Sequence, residues 1–589
     1  VVPEPAGDGF YELENLDRGV VAVSADGGVY VGWRMFGYEY SALAPDSVSY
    51  NVYRSSELVA NVTDSTNYLD TEGDEGAEYS VSAVLGGVEG ARSAPVSVWA
   101  ENYLRVPLDA PSGHHASDAS AGDLDGDGQW DIVLKWEANN SQDNANAGVT
   151  DVVFLEGLRL DGTSLFRIDL GPNIRAGAHY TQFIVADFDG DGGSEIAVKT
   201  APGTRDGRGE FLAHGPAAGD DDSAVYRNGE GYVLQGPEYL TVFDGLDGSE
   251  LATVDFDHPR GNVGDWGDDY GNRVDRFLAT AAYLDDSGLP SFVMARGYYT
   301  RSTLTAWNFR DGALTQLWKF DSNQAGNEYT GQGAHSISVA NVDDDVPQEI
   351  IYGAMSVDHD GSGMCTTGLN HGDALHATDL LPDRPGIEVF MPHEYEARPQ
   401  WSLRDGATCE VIRQGTVTDD DVGRGVAADV DPENPGAEMW AASGVPLLSA
   451  ATGQQVGANP GPINFLAWWD ADESRELEDG TTVSKVGGGN LLSCGECSSN
   501  NGTKSTPGLV ADLLGDWREE VIWRETNNSA LRVYTTTDVT ERRIYTLMHD
   551  AQYRVAISWQ NVAYNQPPHP SFHIGAGMAM PPEPDMHVK

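Results

Sequence analysis

AGDLDGDGQWDIVL, residues 121–134, sets Asp123, Asp125 and Asp127 at alternate positions around a glycine turn and adds Asp131 before an apolar run. VADFDGDGGSEIAV, residues 185–198, repeats the pattern with Asp187, Asp189, Asp191 and Glu195. Weaker copies follow: AAYLDDSGLPSFVM at Tyr283, VANVDDDVPQEIIY at Asn341, ATDLLPDRPGIEVF at Asp379 and AADVDPENPGAEMW at Asp429. A divergent WWDADESREL sits at Asp470, and VADLLGDWREEVIW comes last at Asp512. Eight copies, mostly about 40 to 60 residues apart, fit one four-stranded unit each, with loops in the larger gaps. Without long amphipathic helices, the pattern predicts an all-β fold: an eight-bladed β-propeller over residues 102–589.

Alternating carboxylates around a tight turn converge on a hard cation, and calcium takes six to eight oxygens. The loops at Asp123 and Asp187 therefore read as calcium sites. Asn341, Asp343, Asp345 and Glu349 make a third, although Val346 replaces the turn glycine. The remaining copies have shrunk. The expected role of these ions is structural.

The repeat also serves as a ruler. Eight residues before the first position of each copy stand His115, His179, Asp275, Gly333, His371, Asp421, Pro462 and Lys504. Six residues before it, His335 and Asp373 stand out. Offsets of eight and six share one strand face. If the first strand of each blade lines the axis, these side chains gather at one mouth of the channel. A polar channel without chemistry is the plainer reading; convergent histidines, acids and a lone lysine favour a site. Such a site suits β-elimination on a uronic acid. That reaction needs the carboxylate neutralised, a base for the α proton, and an acid for the leaving oxygen. Lys504, the nearby Arg424 and a divalent ion held by histidine and carboxylate supply the first need.

Residues 1–101 read instead as short alternating strands with Trp33, Tyr53 and Tyr79 as core aromatics, a small β-sandwich of fibronectin type III character. The whole chain has 35 basic and 92 acidic residues, a net charge of −57. That excludes nucleic acid as a general partner. Only six lysines occur, at 135, 199, 319, 485, 504 and 589. An acidic, lysine-poor surface fits a protein working in concentrated salt, where self-repulsion is screened, better than an ordinary calcium binder. No apolar run is long enough to span a membrane. The chain opens on Val1 rather than Met, the expectation for a secreted protein whose leader has been removed. Of four cysteines, Cys494 and Cys497 form a CxxC read as a local disulfide, and Cys365 and Cys409 stand singly.

Several longer segments carry a resemblance. KWEANNSQDN, GPNIRAGAHYTQF, WGDDYGNRVDRFLA, MARGYYTR, GQGAHSISVANVD, LNHGDALHATDL, DVGRGVAADVDP and SNNGTKSTPGLVADLLGDWREEVIWR resemble polysaccharide lyase family 11, the rhamnogalacturonan lyases, from end to end. The resemblance implies an eight-bladed propeller with bound calcium and a small N-terminal β domain. It implies cleavage of rhamnogalacturonan I, an acidic polysaccharide, at galacturonate C4, leaving a 4,5-unsaturated uronate. It also implies that Arg424 and Lys504 face the galacturonate carboxylate, and that His335, His371, Asp373 and Glu394 surround a metal beside it. Asn501, Gly502, Thr503 and Tyr564 are implied as sugar contacts, with Asn139 and Asn140 behind them; His179 is either channel lining or a sugar contact. Calcium bound through two histidines is unusual by ligand softness. Lys504 either neutralises the carboxylate or acts as the base. A monomer is expected. The alternatives are a non-catalytic, calcium-loaded carbohydrate-binding propeller and a lyase for another uronate polymer.

Overall fold

Each copy of the acidic repeat folds as the turn between the first two strands of a sheet. The reason is local. Asp123 accepts backbone N–H groups from Gly126, Asp127 and Gly128 at 2.8–3.1 Å, and Asp187 does the same for Gly190, Asp191 and Gly192. Gly126 and Gly190 take φ of +73° and +74°, which glycine adopts without a Cβ penalty. The closing acid pins the loop from inside. Asp131, Glu195, Glu349, Glu388, Glu438, Glu476 and Glu520 each accept a backbone N–H from the start of their own turn. These acids hold the turn whether or not a cation joins them.

The computed structural model describes residues 7–324, 326–343, 345–561 and 563–589, and over these described residues it is all-β apart from short 3-10 turns and one α-helix. Among the described residues eight antiparallel sheets, numbered here in chain order, each contain a four-stranded meander. Sheet 1 runs His114–Gly122, Asp131–Ala138, Phe154–Leu158 and Ser164–Asp169. Sheet 8 takes Leu509–Ala511, Glu520–Glu525 and Ala530–Tyr534 from the end of the chain, and its outer strand, Tyr103–Pro107, from the other end. Tyr103 lies opposite Tyr534 and Pro107 opposite Ala530. The first strands of sheets 1 to 5 touch in succession, and that of sheet 8 touches that of sheet 1.

Second strands such as Asp131–Ala138 and Glu195–Thr200 are buried throughout, so apolar residues stand at consecutive positions, Ile132 to Leu134 and Ile196 to Val198, rather than alternating. Their one lysine apiece is neutralised in place: Lys135 by Asp118 at 2.9 Å and Glu137 at 3.2 Å, Lys199 by Glu238 at 3.2 Å. The helix, Ala551–Trp559, is buried on every side and touches the first strands of sheets 1 to 4. Its polar Gln552, Arg554 and Ser558 face in, so it has no amphipathic period to read from sequence.

Two further sheets come from the start of the chain. One pairs Val21–Ala25, Gly28–Gly32 and Asn67–Asp70; the other centres on Val48–Arg54 and Glu78–Leu85. Trp33 and Tyr79 are buried between them, while Tyr53 lies at the margin with its hydroxyl on Glu89. Their apolar core continues into Trp130, Trp136 and Trp517. The cysteines correct the sequence reading: besides Cys494–Cys497, Cys365 and Cys409 are also disulfide-bonded. They come from sheet 4 and the next sheet, a pairing that spacing does not reveal.

Candidate active site

The ruler positions do not lie inside strands, with the exception of His115. They stand in irregular segments leading into the first strands, such as Phe183–Ala186, Ser338–Ala340, His376–Thr378, Gly425–Ala428 and Leu509–Ala511. An isolated parallel bridge between Ala334 and Gly372 joins two of these segments and sets His335 beside His371, ring centres 4.9 Å apart. His179 reaches His335 at 5.2 Å, and Tyr564 stacks on His335 at 4.3 Å. The Lys504 ammonium lies 3.6 Å from the centre of the Tyr564 ring.

The histidines are buried, and burial holds all three below the usual imidazole range: His179 at about 4, His371 at about 3, and His335 well below as well. They are neutral at working pH. His371 Nδ1 sits 2.6 Å from the Gly333 carbonyl, which only an N–H can satisfy. Its Nε2 lone pair is therefore free, has no hydrogen-bond partner, and lies 3.2 Å from a Glu394 oxygen. His335 Nε2 is 3.4 Å from Asp373 and 2.9 Å from the Tyr299 hydroxyl. Burial drives the carboxyls of Asp373 and Glu394 upward. Gly423, at φ +51°, lets the acids close in: a Cβ there would lie 3.1 Å from Asp421, 3.3 Å from Glu394 and 3.5 Å from Asp373.

His335, His371 and Asp373 bring one donor atom each within 4.8 Å of one another. Two neutral imidazoles, buried acids that resist ionisation and an orphaned Nε2 fit a divalent cation, and its charge would offset the penalty of ionising the acids. Arg424 and Lys504 face this cluster, and among the described residues neither forms an ion pair. Burial lowers the Lys504 ammonium below its ordinary value; Asp373 opposes that shift and Arg424 adds to it.

Other sequence candidates take varied places. Asn501 donates to Asn565 at 2.7 Å and to Thr506 at 3.0 Å, shaping the loop ahead of the short turn Gly502–Lys504, where Gly502 and Thr503 are exposed. Asn139 pairs with His115 at 2.9 Å, and Asn140 accepts from the Asp151 amide; both asparagines are exposed. Asp275, although at the ruler phase, is spent on Arg296 at 2.9 Å. Sequence reasoning missed Tyr298, Tyr299, Arg276 and Asp143. The Tyr298 hydroxyl lies 3.2 Å from His179 and 3.3 Å from His335, and Arg276 donates to it at 3.4 Å. Asp143 faces His179 at 3.6 Å and Arg276 at 3.7 Å. Tyr298 and Glu394 both stand two residues beyond the end of a second strand, Ser291–Arg296 and Glu388–Pro392, and that phase was the available signal.

The acid loops divide into kinds. Asp187, Asp189, Asp191 and Glu195 converge fully, as do Asp123, Asp125 and Asp127, with Arg159 paired to Asp125. Asp131 lies alongside with an oxygen on the Leu124 amide. In the third loop Asp345 and Glu349 converge with His359 rather than with Asn341, whose side-chain amide donates to the Asp345 carbonyl at 2.8 Å. Asp343 there accepts from the Asp345 amide.

A buried His–carboxylate cluster beside two cations that form no ion pairs among the described residues, on an all-β scaffold, is an arrangement suited to an enzyme that handles an anionic substrate. Comparison with known proteins narrows the class. Residues 103–584 match the profile of rhamnogalacturonan lyase family 11, C-terminal domain, and residues 11–99 match the rhamnogalacturonan I lyase beta-sheet domain. The rhamnogalacturonan endolyase YesW of Bacillus subtilis (strain 168) is 52% identical over 100% of this chain and 95% of its own length. Its crystal structure superposes with a TM-score of 0.93, covering 98% of this chain and 100% of that one. The exolyase YesX of the same organism is 48% identical over 98% of each. A Bacillus licheniformis rhamnogalacturonan lyase structure is 53% identical with a TM-score of 0.94, covering 98% of this chain and all of that one. The chain belongs to rhamnogalacturonan lyase family 11.

Proposed function

We propose that this protein is a rhamnogalacturonan lyase that breaks the C4–oxygen bond of galacturonate in rhamnogalacturonan I by β-elimination, with Lys504 as the base. The observation that carries the assignment is the pair Arg424 and Lys504, unneutralised in a chain of net charge −57, beside the His335/His371/Asp373/Glu394 cluster. Arg424, whose planar guanidinium can donate two parallel hydrogen bonds, pairs with the galacturonate carboxylate. Lys504, held over the Tyr564 ring, takes the C5 proton in its neutral form. The C5–H electron pair becomes the C4–C5 double bond, and the C4–oxygen pair leaves with the departing chain, which gains a proton. When bound between His335, His371, Asp373 and Glu394, a divalent cation supplies a second positive charge beside the carboxylate. Asn501, Gly502, Thr503, His179, Asn139 and Asn140 are assigned to sugar contacts along the cleft.

The scaffold reading accompanies this one. The eight meanders are the blades of one propeller, and the two N-terminal sheets form a β-sandwich domain over residues 1–101. The oxygen-lined loops at Asp123 and Asp187 hold calcium, and the protein is exported and works in salt as a monomer. Support comes from the successive contacts of the first strands, the convergent loop carboxylates, and the acidic, lysine-poor composition. The test is ultraviolet absorbance of the new double bond on rhamnogalacturonan I. Wild type generates it and Lys504→Ala loses about 10²–10⁴-fold in turnover. Hydrolysis products without new absorbance would overturn the assignment.

A further inference from the structure

Lys504 and the ring under its ammonium, Tyr564, come from separate segments of the chain, and both segments bend through backbone conformations that glycine adopts far more readily than other residues. Asn501 at φ +56° and Ser505 at φ +54° flank the turn Gly502–Lys504, and Asn565 at φ +35° follows Tyr564. Such conformations persist where the surrounding contacts over-determine them. Asn500 and Thr506 close the base of the Lys504 loop by exchanging backbone hydrogen bonds at 2.7 and 3.3 Å, and the Lys504 carbonyl accepts from the Asn464 side chain at 2.9 Å. The remaining amides of the loop converge on one buried acid.

That acid is Asp118, 1% exposed, in the first strand of sheet 1. Ala116 lies opposite Trp136 and Ala119 opposite Leu134, so the first strand carries one extra residue there and bulges. A bulge re-aims the side chains that it carries. Asp118 Oδ1 accepts from Asn565 at 3.1 Å and from Asn500 and Asn501 at 3.4 Å each. Asn501 also donates to the Asn565 side chain at 2.7 Å, so the two segments meet both directly and on the same carboxylate oxygen. Asp118 Oδ2 takes the Lys135 ammonium at 2.9 Å. Burial acts to lower that ammonium, but Asp118 and Glu137 hold it above its ordinary value. Neutralising Lys135 does not by itself account for Asp118, because Glu137 already lies 3.2 Å from the same nitrogen. What Asp118 adds is an acceptor for three asparagine amides.

We infer that Asp118 is a positioning residue of the lyase: through Asn501 and Asn565 it holds the Lys504 turn and the Tyr564 segment in one register, without touching the sugar itself. The inference rests on Lys504 as the reacting group. A reacting group displaced by about 1 Å loses about 100-fold in rate, so the effect of Asp118 falls on turnover rather than on KM.

Steady-state kinetics of the full-length protein on rhamnogalacturonan I, arranged as a double-mutant cycle, provide the test. Asp118→Ala is expected to lower kcat by about 10- to 100-fold while KM changes less than about threefold. In the Lys504→Ala background the same substitution is expected to change the residual kcat by less than about twofold, because the group that Asp118 positions is gone. Asn565→Gly cuts the link from the other side, leaves the Asp118–Lys135 pair intact and suits a backbone at φ +35°, so it should repeat the pattern if Asp118→Ala folds poorly. An equal fall in kcat with and without Lys504 marks a general structural role and overturns the inference. Wild-type kcat in Asp118→Ala and Asn565→Gly, with Lys504→Ala strongly impaired, overturns the inference alone. Wild-type kcat in Lys504→Ala overturns the assignment of the base, and the inference with it.

Discussion

Removing divalent cations is expected to cost this protein stability at pH 8 and little at pH 5. The structure sets both the sign and the size. Asp123 and Asp131 are 3% and 4% exposed, and burial raises their carboxyls from 3.8 to about 6 and about 7; at Asp131 the neighbouring Asp125 adds to the shift. A carboxyl raised on folding binds its proton more tightly in the folded chain. Protonation therefore stabilises the metal-free fold fully below about pH 4, and that contribution is lost as pH rises through 6 to 7. At about 1.4 kcal/mol per pKa unit Asp123 costs about 3 kcal/mol and Asp131 about 4.5 kcal/mol at pH 8. Because the two share one loop, about 3–5 kcal/mol for the pair is the safer figure. A calcium ion bound there offsets this cost. For 589 residues the unfolding entropy is roughly 1.2 kcal/mol/K, so one loop is worth roughly 3–4 °C in Tm. Thermal melts in calcium and in chelator at pH 5, 6, 7 and 8 provide the assay. The gap between the two curves should open between pH 6 and 7. A gap independent of pH, or one that widens toward acid, would refute the reasoning.

Three further outcomes follow from the geometry. Tyr564→Leu removes the ring beneath the Lys504 ammonium, a contact worth about 0.5–2 kcal/mol to the charged form. If Lys504 is the base, the acidic limb of the rate profile moves to lower pH by up to about one unit; a limb that stays put assigns the base elsewhere. Gly423→Ala places a Cβ among three carboxylates at positive φ, costing about 1–2 kcal/mol of stability, and is expected to cut lyase turnover well beyond what the lower Tm explains. Arg475 and Glu519 pair at 3.0 Å with side chains 1% and 0% exposed. Arg475→Met leaves a buried charge and should cost about 3–5 kcal/mol in denaturant melts, much of it recovered when Glu519→Leu is added.

The fold was legible where the determining contacts are short-range. A carboxylate that gathers three amides of its own turn, and a second acid that pins the same turn eight or so residues on, leave a readable pattern, and all eight copies mark the same hairpin. Counting back from that turn found His179, His335, His371, Asp373 and Lys504, because the lead-in segments keep a constant length. The count failed where a side chain had a stronger local partner, as Asp275 has in Arg296. It also failed where the site draws on a different phase, as with Tyr298 beyond the second strand, and it could not see Cys365–Cys409, whose partners come from adjacent sheets.

The same geometry explains why the conspicuous acid motifs are not the reacting groups. Lead-in residues and acid turns lie at opposite ends of a first strand. Among the described residues the loop carboxylates at Asp123 and Asp187 converge on their own turns, and the charged groups that act on Lys504 are Asp373, Arg424, Asp143 and Arg276 instead. A cation there acts on catalysis only by keeping the first strands in place. If cations occupy the proposed sites, chelation should therefore reduce turnover through two separable routes: loss of an ion at His335 and His371, which leaves Tm unchanged, and loss of the turn ions, which lowers Tm by a few degrees. If the two losses always coincide, in turnover and in melting, the turns and the site act as one unit and the separation is wrong.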